Sequence, residues 1–101
     1  MSAKGVQAPM PRFFFHVRDA LGYAEDDEGL ELRGMAEARG AAVAGARSLL
    51  SAEVTAGELD LRGRIEVSDQ DGKLVETIRF EDVVAVRTGE LGSAEDRGGS
   101  E

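Results

Sequence analysis

The chain has 101 residues, 42% of them hydrophobic, with 12 basic and 20 acidic side chains, a net charge of −8 and no cysteine. At this length the expectation is one domain with a thin core, about two-thirds of the unfolded surface being buried on folding. The charge argues against a broad electrostatic footprint for nucleic acid or anionic lipid, and the missing thiols exclude disulfides, thiolate catalysis and cysteine-type zinc sites.

No apolar run approaches the roughly 20 residues of a membrane span, and the opening MSAKGVQAPM lacks the hydrophobic segment of a signal peptide. The expected location is cytoplasmic. Residues 1–10 read as a disordered lead-in, 11–87 as a single domain and 88–101 as a disordered acidic tail rich in Gly and Ser. Met10 is a second candidate translation start, since everything with a folding pattern begins after it.

Arg12 to Arg18 alternates on two faces: Phe13, Phe15 and Val17 on one, Phe14, His16 and Arg18 on the other. Aromatic and β-branched residues with that period predict a strand. Asp19-Ala20-Leu21-Gly22 is a turn signal, after which Tyr23 and Ala24 return as a short strand. The acidic loop Glu25-Asp26-Asp27-Glu28-Gly29 follows, and Leu30-Glu31-Leu32 is a brief extended piece.

From Met35 the period lengthens. Met35, Ala38, Ala42, Ala46, Leu49 and Leu50 share a helical stripe, with Glu37, Gly40, Ala44, Arg47 and Ser51 opposite. The spacing predicts a helix over about 35–56, with Glu37 favourably close to its N-terminal dipole and Gly57 as its stop.

Arg64 to Ser68 is a strand with Ile65 and Val67 inward, Asp69-Gln70-Asp71-Gly72 a hairpin turn, and Leu74 to Phe80 the return. A three-residue loop pairs Val67 with Val75 and Ile65 with Thr77; a four-residue loop brings Leu74 and Ile78 to that face instead. Both registers fit the pattern. Phe80 to Val86 fits either a helical turn or a last strand. The order β-β-α-β-β describes an α+β fold: a two-layer, mainly antiparallel sheet with one long helix on one face.

Chemistry-bearing residues are sparse. His16 is the only histidine, and Asp19 lies three residues on, around a turn, so neither a metal site nor a base with its orienting carboxylate is spelled out. It reads as a strand histidine, its ring beside Phe14 and its nitrogens bonded to a backbone or carboxylate neighbour. Glu25 to Glu28, and Asp69 with Asp71, carry no EF-hand register and read as solvated turns. Glu66 and Glu76 face each other across the hairpin only in an exposed ribbon, with Arg64 and Arg79 as their expected ion-pair partners. No glycine loop cradles phosphate, no serine sits beside a candidate base, and the basic residues are scattered among acids.

The stretches MPRFFFHVRD, DDEGLEL, AEARGAAVAGARSLLSAE and RIEVSDQDGKLVETIRFEDVVAV together resemble a family of small alphaproteobacterial proteins classed as a domain of unknown function, the 6894 type, over about residues 10–87. The resemblance implies no established activity. The chain departs from the family in having Gly40 and Gly45 inside the helix and Gly34 where a side-chain cap is usual, which weakens the helix by up to about 1 kcal/mol per glycine. An aromatic-led strand ending at an acidic turn, a second strand and a Glu/Ala-rich helix also look like the HicB type of antitoxin domain. That weaker resemblance implies a partial ribonuclease-H-like fold that binds a toxin and oligomerises.

One helix covers one face of a sheet, so Phe14, His16 and Arg18 are left on the uncovered face as a candidate interaction surface. Gly40, Ala44 and Ser48 form a second row, on the outer side of the helix, small enough for close helix contact. The expected function is a non-catalytic protein-interaction or regulatory module, homodimeric or bound to a protein partner. No cofactor, metal, small-molecule substrate, membrane or direct nucleic-acid partner is expected. The alternative is an antitoxin-like regulator that occupies a toxin.

Overall fold

The strand that the opening alternation predicts is present as β1 (Arg12–Asp19). The structure, a computed structural model, describes residues 10–91. Most of the expected lead-in and tail, residues 1–9 and 92–101, lies outside the described residues; Met10 and Thr88 to Leu91 carry neither helix nor strand. In β1, Phe13 is buried and Phe15 and Val17 pack against the core, while Phe14, His16 and Arg18 take the other face.

Two short strands follow. β2 (Gly22–Ala24) runs antiparallel to Val17–Asp19, and β3 (Leu30–Glu31) pairs with Arg12–Phe13 further along β1. The acidic residues 25–29 loop out between them. The sheet order is β2-β1-β4-β5, with β3 beside β1, and every pairing is antiparallel. The extended piece at Leu30 is thus a strand of its own, and the order becomes β-β-β-α-β-β.

Helix α1 (Met35–Thr55) buries Ala38, Ala42, Ala46 and Leu50, an i, i+4 row whose small side chains bring the helix axis close to the sheet. Met35 and Leu49, placed in the stripe by the periodicity, are each 38% exposed and lie at its margins. At the N-terminus Glu37 Oε1 accepts the Arg33 N–H at 3.0 Å. The C-terminus closes as a Schellman motif. Gly57, at φ +90°, donates to the Val54 carbonyl and Glu58 to that of Glu53, which satisfies carbonyls the helix leaves open.

β4 (Arg64–Ser68) and β5 (Leu74–Arg79) pair Ile65 with Ile78 and Val67 with Glu76, and a bulge at Val67/Ser68 then sets Ser68 opposite Leu74. Neither sequence register is followed throughout. Ile78 reaches the core face, because burying it rather than Thr77 gains apolar area, but the bulge turns Leu74 to the opposite face. Glu76 consequently points toward the helix, where Arg39 Nη1 meets it at 2.5 Å, and Arg79 pairs with Glu81 and Asp82. The expected Arg64–Glu66 pair forms at 2.8 Å; the expected Arg79–Glu76 pair does not.

Phe80–Asp82 is one turn of 3-10 helix, followed by irregular chain, so the open choice at Phe80 resolves to a helical turn. Phe80 is fully buried, its N–H bonded to the Gly63 carbonyl at 3.0 Å, and Arg47 Nε holds the Val83 carbonyl at 2.8 Å. Arg47, assigned to the outer side of the helix by its period, therefore reaches back to clamp this turn. The core lies wholly between helix and sheet, with Phe13, Ile65, Val67, Ile78 and Phe80 facing the alanine row. Among the described residues no layer covers the other face of the sheet.

Candidate functional site

The antiparallel register aligns the residues of that uncovered face in rungs across the strands. One rung reads Tyr23, Arg18, Arg64, Arg79; the next His16, Glu66, Thr77; the third Phe14, Ser68, Leu74. Arginines that appear scattered in sequence are therefore neighbours here. Like charges directly opposite repel, and Glu66 relieves this by taking both Arg64, at 2.8 Å, and Arg18, at 3.6 Å. The Arg18 guanidinium also lies 4.4 Å from the centroid of the Tyr23 ring, a cation–π contact.

The other end of the face is different. The loop 25–28 rises on one side and the hairpin 69–72 on the other, enclosing a groove of about 470 Å³ floored by Phe14, His16, Ser68 and Leu74. Tyr23 borders it, and five carboxylates line it: Glu25, Asp26, Asp27, Glu66 and Asp69. Among the described residues no lysine or arginine lines it. Leu74 is 55% and Tyr23 45% exposed.

Asp26 builds the loop wall. Its Oδ1 accepts the N–H groups of Glu28 and Gly29, each at 3.1 Å, and its Oδ2 accepts that of Phe15 at 3.0 Å. The Phe15 amide lies between the stretches of β1 held by β2 and β3, so a side chain supplies the bond that a strand would have made. Burial pushes the Asp26 carboxyl up and is the largest single influence. The amides of Phe15, Gly29 and Glu28 with the nearby His16 outweigh it and hold the carboxyl below its usual 3.8. Gly29 lets the loop close: its φ is +69°, and a Cβ there would lie 2.7 Å from the Phe13 carbonyl oxygen.

His16 stands at the centre of the floor. Its ring is parallel to that of Phe14, 4° between planes and 6.5 Å between centroids, and tilted 35° to Tyr23. The backbone N–H of Asp26 donates to Nδ1 at 3.0 Å, and Nε2 lies 2.9 Å from Ser68 Oγ. A serine does sit beside the histidine after all, because the β1–β4 register brings together residues 52 apart in sequence. The partners assign the tautomer: Nδ1 holds the lone pair, so Nε2–H donates to Ser68. In a hydrolytic Ser–His pair the nitrogen facing the hydroxyl is the acceptor and the opposite nitrogen donates to a carboxylate. Both polarities are reversed here, so in this arrangement His16 offers Ser68 no base.

Of the residues singled out from sequence, Phe14 and His16 lie in the groove floor, while Arg18 stands outside it in the arginine rung. Gly40, Ala44 and Ser48 are exposed on the outer side of α1, in the other layer, and do not join that site. Ser68, Tyr23, Leu74, Glu25 and Asp27 complete the groove and were not legible as a group, since only the strand register gathers them. Among the described residues no group of three or more His, Asp or Glu side chains is placed to hold a metal ion. No helix among them is long and apolar enough to cross a membrane.

No curated protein and no solved structure matches the chain. A family model does, that of the domain of unknown function DUF6894, over residues 12–81, which run from the first residue of β1 into the turn that carries Phe80. The groove and all of the buried core but Val83 fall within that span, and the chain belongs to the DUF6894 family.

Proposed function

We propose that this protein is a non-catalytic protein-interaction module whose docking surface is the helix-free face of the sheet. The observation that carries the reading is the groove. Phe14, Leu74 and Tyr23 present apolar surface there beside the hydrogen-bonded His16–Ser68 pair, an arrangement suited to holding a partner. The His16–Ser68 pair has the wrong polarity for nucleophilic catalysis, and the lining carboxylates stand in an open groove rather than a closed cleft that would set them apart as acid and base.

The test is Phe14→Ser. Exposing a serine in place of a half-buried ring on the uncovered face leaves the core intact, so the melting temperature stays within a few degrees of the parent. Native-host copurification compares wild type, Phe14→Ser and a control on the helix exterior, Ala44→Glu. A partner lost with Phe14→Ser and kept with Ala44→Glu supports the reading; a partner indifferent to Phe14, or lost only with Ala44→Glu, refutes it.

Self-association is the second form of the same function. The exposed row Gly40, Ala44 and Ser48 supports it, since a Cβ built at Gly40 meets nothing within 4 Å and another helix has room to approach closely. Light scattering decides: a mass that doubles with concentration in the wild type but not in Ala44→Glu supports a helix-mediated homodimer, and a constant monomer mass removes it. An antitoxin-like regulator is the special case in which the partner is a small basic toxin, favoured by the net charge of −8. A gene neighbour encoding such a protein would promote it.

A further inference from the structure

The groove's chemistry specifies its occupant more closely than docking alone, and the step rests on the interaction reading above. Of the five lining carboxylates, three are already engaged. Glu66 holds Arg18 and Arg64, Asp26 holds three backbone amides, and Asp69 Oδ1 accepts the N–H groups of Asp71 and Lys73. Glu25 and Asp27 have no ion-pair or hydrogen-bond partner for their side chains among the described residues. Two free carboxylates therefore stand above an apolar floor of Phe14 and Leu74.

A second copy docked through the same face is a poor source of the missing cation. Each arginine on the uncovered face already has a carboxylate: Arg18 and Arg64 share Glu66, and Arg79 has Glu81 and Asp82. Freeing any of them would break one ion pair to make another. The occupant must bring its own positive charge.

The floor narrows the choice further. Apolar surface next to unpaired carboxylates matches a side chain with a hydrocarbon stem and a cationic head, the stem lying on Phe14 and Leu74 and the head at Glu25 and Asp27. Ser68 supplies an independent polar requirement. It is only 7% exposed, lines the groove, and its Oγ accepts from His16 Nε2, so its own proton remains to be donated. Among the described residues the Ser68 hydroxyl makes no hydrogen bond besides the one with His16. A buried donor of this kind wants an acceptor, which a peptide carbonyl provides and a bare cation does not.

We propose that the groove between the loop 25–28 and the hairpin 69–72 takes an arginine- or lysine-bearing extended segment of a partner protein. The cationic head pairs with Glu25 and Asp27, the stem covers Phe14 and Leu74, and a backbone carbonyl of the segment accepts the Ser68 hydroxyl.

The experiment is an amide-shift titration of the ¹⁵N-labelled full chain with a capped hexapeptide of alternating serine and arginine. Two control peptides replace arginine by citrulline, which keeps shape without charge, or by glutamate. The arginine peptide shifts the amides of Phe14 to His16, Glu25 to Asp27 and Ser68 to Leu74, and the controls do not. The double variant Glu25→Lys/Asp27→Lys weakens binding by at least about tenfold without changing the melting temperature, as expected when two exposed attractions become repulsions. Added salt weakens binding in the wild type. Absence of shifts at millimolar peptide, equal binding of citrulline, or shifts spread equally to Glu81 and Asp82 would each overturn the proposal. Should the peptide fail while Phe14→Ser still loses its copurified partner, the interaction module stands and the cationic occupant falls.

Discussion

Replacing Asp26 with asparagine tests how the groove wall is held. The carboxylate uses both oxygens, Oδ1 for Glu28 and Gly29 and Oδ2 for Phe15. An asparagine has one carbonyl oxygen. In its better orientation it keeps the Glu28 and Gly29 bonds, now neutral, and turns its NH₂ group against the Phe15 N–H. One charge-assisted bond is lost, two are weakened, and a half-buried strand amide is left without an acceptor. Together these cost about 2 kcal/mol. For a domain of this size each kcal/mol moves the melting temperature by about 4–8 °C, so Asp26→Asn should melt roughly 10 °C below the wild type at pH 7. The sign with pH follows from the depressed carboxyl. A group whose folded pKa lies below its unfolded value stabilises fully above the unfolded value, and the contribution is lost as pH falls through the folded one. Since Asp26 is held below 3.8, the gap between wild type and Asp26→Asn should be constant above about pH 5 and narrow below about pH 4. Thermal and urea melts across that range measure it. A variant as stable as the wild type at pH 7, or a gap that does not narrow with acid, refutes the reasoning.

Other outcomes follow from packing. A Cβ at Gly63 would lie 2.5 and 2.8 Å from two carbons of the Phe80 ring and 2.9 Å from the Arg18 carbonyl oxygen. Gly63→Ala should therefore cost about 2–3 kcal/mol in a urea melt, and an unchanged midpoint would show that the ring has room to move. Gly40→Ala should stabilise by about 0.5–1 kcal/mol, because its site is open and helical, and Gly45→Ala by a similar amount, since its Cβ would make an ordinary 3.6 Å contact with Ile65 Cδ1. The pair should add, being on different sides of the helix with no shared partner; a loss of stability at Gly45 would mean that α1 already lies too close to β4 to admit a methyl group.

The uncovered face shows how register creates chemistry. Arg18, Arg64 and Arg79 come from three strands, and Glu66 is needed between them because antiparallel pairing stacks their charges. The same pairing sets Ser68 beside His16. Acids at 25–28, read singly, are turn formers, and nothing in their spacing says that Asp26 would turn inward to cap β1 while Glu25 and Asp27 remain free.

Local physics was legible from the chain alone. The period-two alternation of Arg12 to Arg18 assigned Phe13 and Phe15 to the core and Phe14 and His16 to the other side, because successive side chains of a strand must point oppositely. The alanine row of the helix and its glycine stop were equally local, and an α+β domain with one helix over one sheet followed from them. What tertiary structure decided was everything set by distance between strands. The bulge at Val67/Ser68 brought Leu74 to the groove, Glu76 crossed to Arg39, and His16 met Ser68 with its acceptor nitrogen already taken by Asp26. Such contacts depend on pairing offsets of one residue, and a one-residue slip sends a side chain to the opposite face of the sheet, so no pattern within a single strand records them.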